Sequence, residues 1–157
     1  MSKYDTNLAA EFYVLSTLHR LGADASLTLG HKKAVDIFVA RTKGVAFTID
    51  VKGVAGPYDW PAGNVDRKGR KGHFLILVSY GGKIGDPRHA PSVWVVPSKH
   101  IGRFLHKYGK YGDRTNILRA KMITEGKKYL HAWSRKLGRP GSAKRTSFRI
   151  KRGRPSG

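Results

Sequence analysis

The sequence predicts an α/β domain followed by a basic tail. Three observations carry this. An apolar stripe at helical spacing opens the chain. Short alternating or wholly apolar runs follow, separated by turns rich in Gly and Pro. From Gly138 onward the composition turns to Gly, Pro, Ser, Lys and Arg without an acid. Helical periodicity, strand periodicity and a like-charged run are the respective signatures of a helix, a sheet and an unstructured basic segment. At 157 residues, 39% of them hydrophobic, the chain fits one domain, residues 1–137, with an ordinary core and a disordered tail, residues 138–157.

The helix is expected over residues 5–21. Asp5 or Thr6 can cap its start and Gly22 follows its end. Leu8, Phe12, Leu15 and Leu18 recur at helical spacing, and at roughly 100° per residue Glu11 falls between Leu15 and Leu18, on the apolar face. A solvated charge is poorly placed there, unless it sits at the edge of the face and reaches water.

Strands are expected at Ala25–Leu29, Val35–Ala40 and Val45–Lys52. Gly30-His31-Lys32-Lys33 forms a basic turn between the first two, and Arg41-Thr42-Lys43-Gly44 a hairpin turn between the second two. In the third strand Val45, Phe47, Ile49 and Val51 face one way, and Ala46, Thr48, Asp50 and Lys52 the other. Residues 53–72 read as a loop that carries Tyr58 and Trp60 and ends in Arg67-Lys68-Gly69-Arg70-Lys71-Gly72. A loop of that length in a compact domain points to function or disorder. His73–Tyr80 and Val93–Val96 are core strands, with a loop between them. Pro97-Ser98 is expected to start a helix carrying Ile101, Phe104, Leu105 and Tyr108. Residues 113–137 are ambiguous, with Tyr129, Leu130, Trp133 and Leu137 indicating a short packed helix.

Charge narrows the function. Thirty-one Lys and Arg against ten acids give a net charge of +21, which points to a polyanion partner. No apolar run approaches the roughly 18 residues of a membrane span, and no signal peptide opens the chain. The absence of cysteine excludes disulfides and thiolate metal sites and fits a reducing, cytoplasmic or nucleoid-associated setting. The seven histidines show no metal-ligand spacing and are expected at the surface or against phosphates. Gly81-Gly82-Lys83-Ile84-Gly85 lacks the spacing of a phosphate-binding Walker loop.

In so basic a chain, Asp36 and Asp50 within neighbouring strands need a physical reason. Strands disfavour Asp, and a buried carboxylate is costly unless paired, hydrogen-bonded or bound to a cation. Hard Mg²⁺ takes oxygen ligands and keeps several waters, so one or two carboxylates and a backbone carbonyl are sufficient. A metal at that position polarises a phosphate and lowers the pKa of an attacking water, and a nearby lysine stabilises charge developing on phosphorus. Asp36, Asp50, the Val51 carbonyl and Lys52 supply that inventory, and Glu11 can complete it. The alternatives are an Asp36–Lys52 salt bridge and an Asp50–Lys52 surface pair worth little.

These residues and their order resemble the PD-(D/E)XK nuclease superfamily. The pattern there is a helix with a Glu, a strand bearing an Asp, and (D/E)-x-Lys on the next strand. Here those are Glu11, the Asp of Lys33-Ala34-Val35-Asp36-Ile37, and Asp50-Val51-Lys52. The layout, with the later Trp94-Val95-Val96-Pro97-Ser98-Lys99 junction, is most similar to archaeal-type Holliday junction resolvases and related small endonucleases. The likeness spans roughly residues 5–108 and departs in having no Pro before Asp36 and Asp rather than the more frequent Glu at position 50. It implies a restriction-endonuclease-like αβββαβ core with a central mixed sheet flanked by helices. It also implies a Mg²⁺-dependent endodeoxyribonuclease, with Mn²⁺ able to substitute, selective for DNA structures such as junctions. Glu11, Asp36, Asp50 and Lys52 are the expected catalytic residues, with Asp36, Asp50 and the Val51 carbonyl as metal ligands. A homodimer is compatible, because related resolvases cut two symmetric strands. The rival is a non-catalytic DNA- or RNA-binding protein of the same fold.

Lys32, Lys33, Arg67, Lys68, Arg70 and Lys71 lie in loops adjacent to these strands and are candidates for DNA phosphate contacts, the alternative being general solubilising charge. Tyr58 and Trp60 can stack on an exposed base or pack the loop onto the body. The tail ends Lys151-Arg152-Gly153-Arg154-Pro155, which resembles the core of an AT-hook. A narrow minor groove would attract Arg152 and Arg154; a sequence-independent basic tail is the other reading.

Overall fold

The computed structural model describes residues 2–28, 35–40, 46–133 and 137. The candidate DNA contacts Lys32, Lys33, Arg152 and Arg154, and the tail from residue 138, lie outside the described residues.

Helix α1 spans Lys3–Arg20, two residues earlier at its start than the apolar stripe indicates. Its cap is Ser2 rather than Asp5 or Thr6. Ser2 Oγ accepts from the Asp5 amide, and the Asp5 carboxylate accepts from the Ser2 amide. This reciprocal box satisfies donors that the first helical turn cannot bond internally. The apolar stripe locates the buried face of a helix but not the polar residues ahead of it.

Five strands form the main sheet: β1 (Asp24–Leu27), β2 (Ile37–Ala40), β3 (Phe47–Val54), β5 (His73–Ser79) and β6 (Ser92–Pro97), in spatial order β1-β2-β3-β5-β6. The sheet is mixed. β3 and β5 are parallel, with Asp50 opposite Leu75 and Lys52 opposite Leu77, and the other neighbours are antiparallel. Both faces are covered, which accounts for the unbroken apolar run of β5. Phe74, Ile76 and Val78 face one core with Ile37, Ile49, Val51 and the α1 residues Ala10, Val14 and Leu18. Leu75 and Leu77 face a second core with Trp60, Trp94, Ile101, Phe104, Ile117, Met122 and Tyr129.

That second face is closed by elements the periodicity does not reveal. Ser98–Phe104 is a 3-10 helix that buries Ile101 and Phe104, as the spacing predicts, but it does not continue. Leu105–Tyr108 is strand β7, paired antiparallel with β8 (Arg114–Ile117), where the spacing predicts a single helix through Tyr108. β8 also pairs with the two-residue β4 (Trp60–Pro61), making a small second sheet of order β4-β8-β7. A short helix α2 (Arg119–Thr124) and a 3-10 turn at Lys127–Tyr129 complete the ambiguous region. Tyr129, Leu130, Trp133 and Leu137 do not share one helix. Leu130 bridges Trp94, while Trp133 and Leu137 pack into the α1-side core.

An αβββαβ order would put a helix between β3 and the strand parallel to it. Residues 55–72 instead cross as loop around β4, since Gly56, Pro57, Pro61, Gly63, Gly69 and Gly72 leave no stretch able to sustain a helix. Among the described residues no helix is long and apolar enough to cross a membrane.

Candidate active site

β2 begins directly after the acid that the sequence marks for chemistry. Asp36 donates its amide to the carbonyl of Ile49, the residue that faces Ile37 in the ladder. Two residues of one strand thus oppose one of the other, the count of a bulge, a feature that re-aims a side chain and ends pairing. The freed Asp36 carboxylate turns along the sheet edge and accepts from the Val51 amide at 2.7 Å. It takes over the bond that the preceding residue would have supplied had the ladder continued. In a strand, the N–H and C=O of one residue point to the same neighbour. The Val51 carbonyl therefore lies on the side where β2 has stopped, within one peptide unit of Asp50.

Helix α1 seals the same edge one step further on. Asn7 Oδ1 accepts from the Gly53 amide at 3.0 Å. A Cβ at position 53 would stand 2.7 Å from Ala10 Cβ and 2.9 Å from the Thr6 carbonyl, so glycine is what lets the helix approach. Glu11 lies one turn beyond Asn7, about 6 Å along the axis. α1 leads into β1, whose start lies beside the far end of β2. It therefore runs opposite to β3, and that turn carries Glu11 back toward the level of Val51 and Asp36. Glu11 is buried, as its place on the apolar face predicts.

Asp50 and Lys52 share the other face of β3, as their spacing of two requires, and neither belongs to the α1-side core that holds Ile49 and Val51. Lys52 Nζ donates to Asn64 Oδ1 at 2.8 Å. Asp50 Oδ2 lies 3.5 Å from His73 Nε2, and His73 Nδ1 is 2.8 Å from Thr48 Oγ1. Arg70 Nη2 also stands 3.5 Å from His73 Nε2. With Asn64, Val65, Asp66, Gly69, Leu75 and Ser98, Asp50, His73 and Arg70 line a pocket of about 240 Å³.

The basic loop is held over this pocket by specific bonds. Ser98 Oγ accepts from the Arg70 amide and donates to the Arg70 carbonyl, both at 2.8 Å. Gly69 has φ +64°, and a Cβ there would fall 2.3 Å from the Ser98 backbone. Asp66 Oδ1 accepts from the Lys68 amide. Arg67, Lys68, Arg70 and Lys71 are all exposed, so the loop presents a cationic rim beside Asp50 and Lys52.

The structure decides between the two readings of Trp60 and corrects one expectation about the histidines. Trp60 is fully buried and donates its indole N–H to the Val78 carbonyl at 3.0 Å, so it packs the loop and does not stack on a base. Tyr58 is 65% exposed. His73 is buried rather than at the surface, and like Asn64 it is a site residue that sequence reasoning missed. It heads an apolar strand, and only the parallel register, which sets Thr48 opposite His73, brings it to Asp50.

Asp36, Asp50 and the Val51 carbonyl would offer hard oxygens, the ligand type that Mg²⁺ takes. Among the described residues no cluster of three or more His, Cys, Asp or Glu side chains is arranged to hold a metal ion. No known protein family, curated protein or solved structure matches this chain.

Proposed function

We propose that this chain is a Mg²⁺-dependent DNA endonuclease of the PD-(D/E)XK type. One observation carries the reading. The Asp36 carboxylate is bonded to the amide of Val51, the middle residue of Asp50-Val51-Lys52, which brings an acid from a second segment to the strand that carries Asp50 and Lys52. The cationic loop beside them and a net charge of +21 fit a phosphodiester backbone as the bound group. A bound Mg²⁺ would supply Lewis-acid polarisation of the phosphate and a more acidic water. Asp36, Asp50 and the Val51 carbonyl would hold it, with Glu11 bordering. Lys52, oriented by Asn64, would stabilise negative charge on the phosphoryl oxygens. His73 would fix the Asp50 rotamer, and Arg70 would meet an adjacent phosphate. The first substrates to test are junction, flap, linear duplex and single-stranded DNA, each with Mg²⁺ or Mn²⁺.

The expected result is metal-dependent cutting that Asp50→Asn and Lys52→Ala abolish, with DNA affinity kept within a fewfold of wild type. Most affinity would come from phosphates held outside β3. Cutting by Asp50→Asn at the wild-type rate would remove the catalytic assignment.

A second reading has its own support. Asp36 is bonded to a backbone amide, Asp50 sits beside His73 and Lys52 is held by Asn64. Those partners account for the polar groups without a metal, as in a non-catalytic DNA- or RNA-binding protein. Nucleic-acid binding without cutting on any of the four substrates would favour it.

A further inference from the structure

The β7–β8 hairpin projects from the small sheet, and nothing in the catalytic reading uses it. Leu105 and Ile117 anchor its base in the second core, opposite one another in the ladder. Toward the tip the burial ends, and His106, Lys107, Tyr108, Lys110, Tyr111 and Arg114 are all exposed. Tyr111 is 82% exposed and Tyr108 39%, two of the large side chains the fold leaves in solvent. A hairpin tip gains no stability from holding two aromatic rings in water, because their apolar area remains unburied.

The tip is also a defined shape. Gly109 and Gly112 have φ +96° and +63°, and the Gly112 amide donates to the Gly109 carbonyl. Tyr108 and Arg114 are cross-strand partners, and Lys110 Nζ lies 5.4 Å from the centre of the Tyr111 ring. Cations interleaved with exposed rings on a turn match a strand of nucleic acid, whose phosphates take the charges and whose bases offer flat faces.

Its position relative to the pocket follows from the ladder. β4 runs toward the tip, since Trp60 pairs with Ile117, Pro61 with Asn116, and the Ala62 amide donates to the Thr115 carbonyl. Asn64, which holds Lys52, follows two residues later. Thr115 thus stands four residues from Tyr111 on one strand and beside Ala62, two residues before Asn64, on the other. Both lie on the face of the main sheet opposite α1.

We propose that the hairpin tip is a base-stacking contact: Tyr111, supported by Tyr108, stacks on an unpaired base of a DNA strand while Lys107, Lys110 and Arg114 hold its phosphates. A base inside an intact duplex has no free face, so this contact selects DNA with unpaired nucleotides near the bound phosphate. The proposal rests on the nuclease reading only for where the strand lies.

The test reads binding alone, in EDTA, with the full chain. The probes are a labelled duplex ending in two unpaired arms and a fully paired duplex of the same length. Tyr111→Ala is expected to weaken binding to the forked probe by about 5- to 150-fold, the range for removing one stacked base, with less than about a twofold change on the paired probe. Tyr111→Trp, which keeps a stacking face, should restore fork binding. Equal affinity of wild type and Tyr111→Ala for the fork would overturn the proposal, and so would an equal loss on both probes. Because no cutting is measured, failure of the nuclease reading leaves this result intact, and failure here leaves the cleavage assay intact.

Discussion

Asp36 shows how one side chain can cap the edge of a strand. Its carboxylate stands in for a ladder carbonyl at the Val51 amide, at 2.7 Å. Removing it orphans a backbone donor at a partly buried edge, which costs about 1–3 kcal/mol. Asp36→Ala is therefore expected to lower stability by that amount. Asp36→Asn should lose less, because the amide oxygen can still accept. Urea midpoints of the two variants, compared at equal m-value, check this. The two substitutions also separate structure from chemistry. Asp36→Asn should be near wild type in stability yet lack the charge that the proposed metal site needs, so loss of cutting in that variant cannot be blamed on unfolding. Equal stability of Asp36→Ala and wild type would mean that the Val51 bond contributes nothing.

Among the elements, α1 matters twice. It covers one face of the sheet, and through Asn7 and the close approach at Gly53 it holds the edge beside Asp36. Its start depends on the Ser2–Asp5 box, which also gives it a pH signature. The Ser2 hydroxyl, and after it the Ser2 amide, hold the Asp5 carboxyl below its ordinary value of 3.8. A carboxyl whose folded pKa is depressed contributes stability that is present above the unfolded value and lost as pH falls through the folded one. Wild type should therefore melt above Asp5→Asn near neutral pH, and the gap should close once the pH drops well below 3.8. Thermal midpoints of the two proteins across that window test the box. A gap that persists unchanged in acid would assign the effect to something other than the ionised carboxyl.

For the whole molecule, the charge distribution makes the sharpest statement. Residues 138–157 hold Lys and Arg without an acid, and Arg139, Lys144, Arg145, Arg149, Lys151, Arg152 and Arg154 all follow Leu137 in the chain. Leu137 itself is buried in the α1-side core, with Trp133 packed against the same cluster. A truncation must therefore spare it. Cutting after Gly138 is expected to leave the fold and its melting temperature intact. It should weaken DNA binding and flatten the salt dependence by a slope of about 0.9 for each phosphate that is no longer neutralised. Salt titrations of full-length and shortened protein on A·T-rich and G·C-rich duplexes measure this. Identical slopes for the two proteins would show that the segment does not touch DNA. A preference for A·T-rich DNA that vanishes with Arg152→Ala and Arg154→Ala would support the minor-groove reading.

Local pattern determined much of this by itself. The period of two placed Asp50 and Lys52 on one face, the helical period put Glu11 on the buried side of α1, and the apolar runs marked β5 and β6, because side-chain direction within an element depends only on its own geometry. Cavity lining and partner choice depend on which elements become neighbours, and that is set by packing. The parallel pairing of β3 with β5 brought His73 to Asp50. The bulge at Asp36 turned a strand acid into an edge cap. Leu105–Tyr108 had helical spacing with Ile101 and Phe104 yet became a strand, because β8 supplied a ladder for it. Trp60 sat in a segment with every mark of a loop and was buried because the second core had room for an indole and Val78 had a carbonyl for its N–H. Long-range hydrogen bonds and shared cores have no signature in local spacing, and it is they that assembled the pocket.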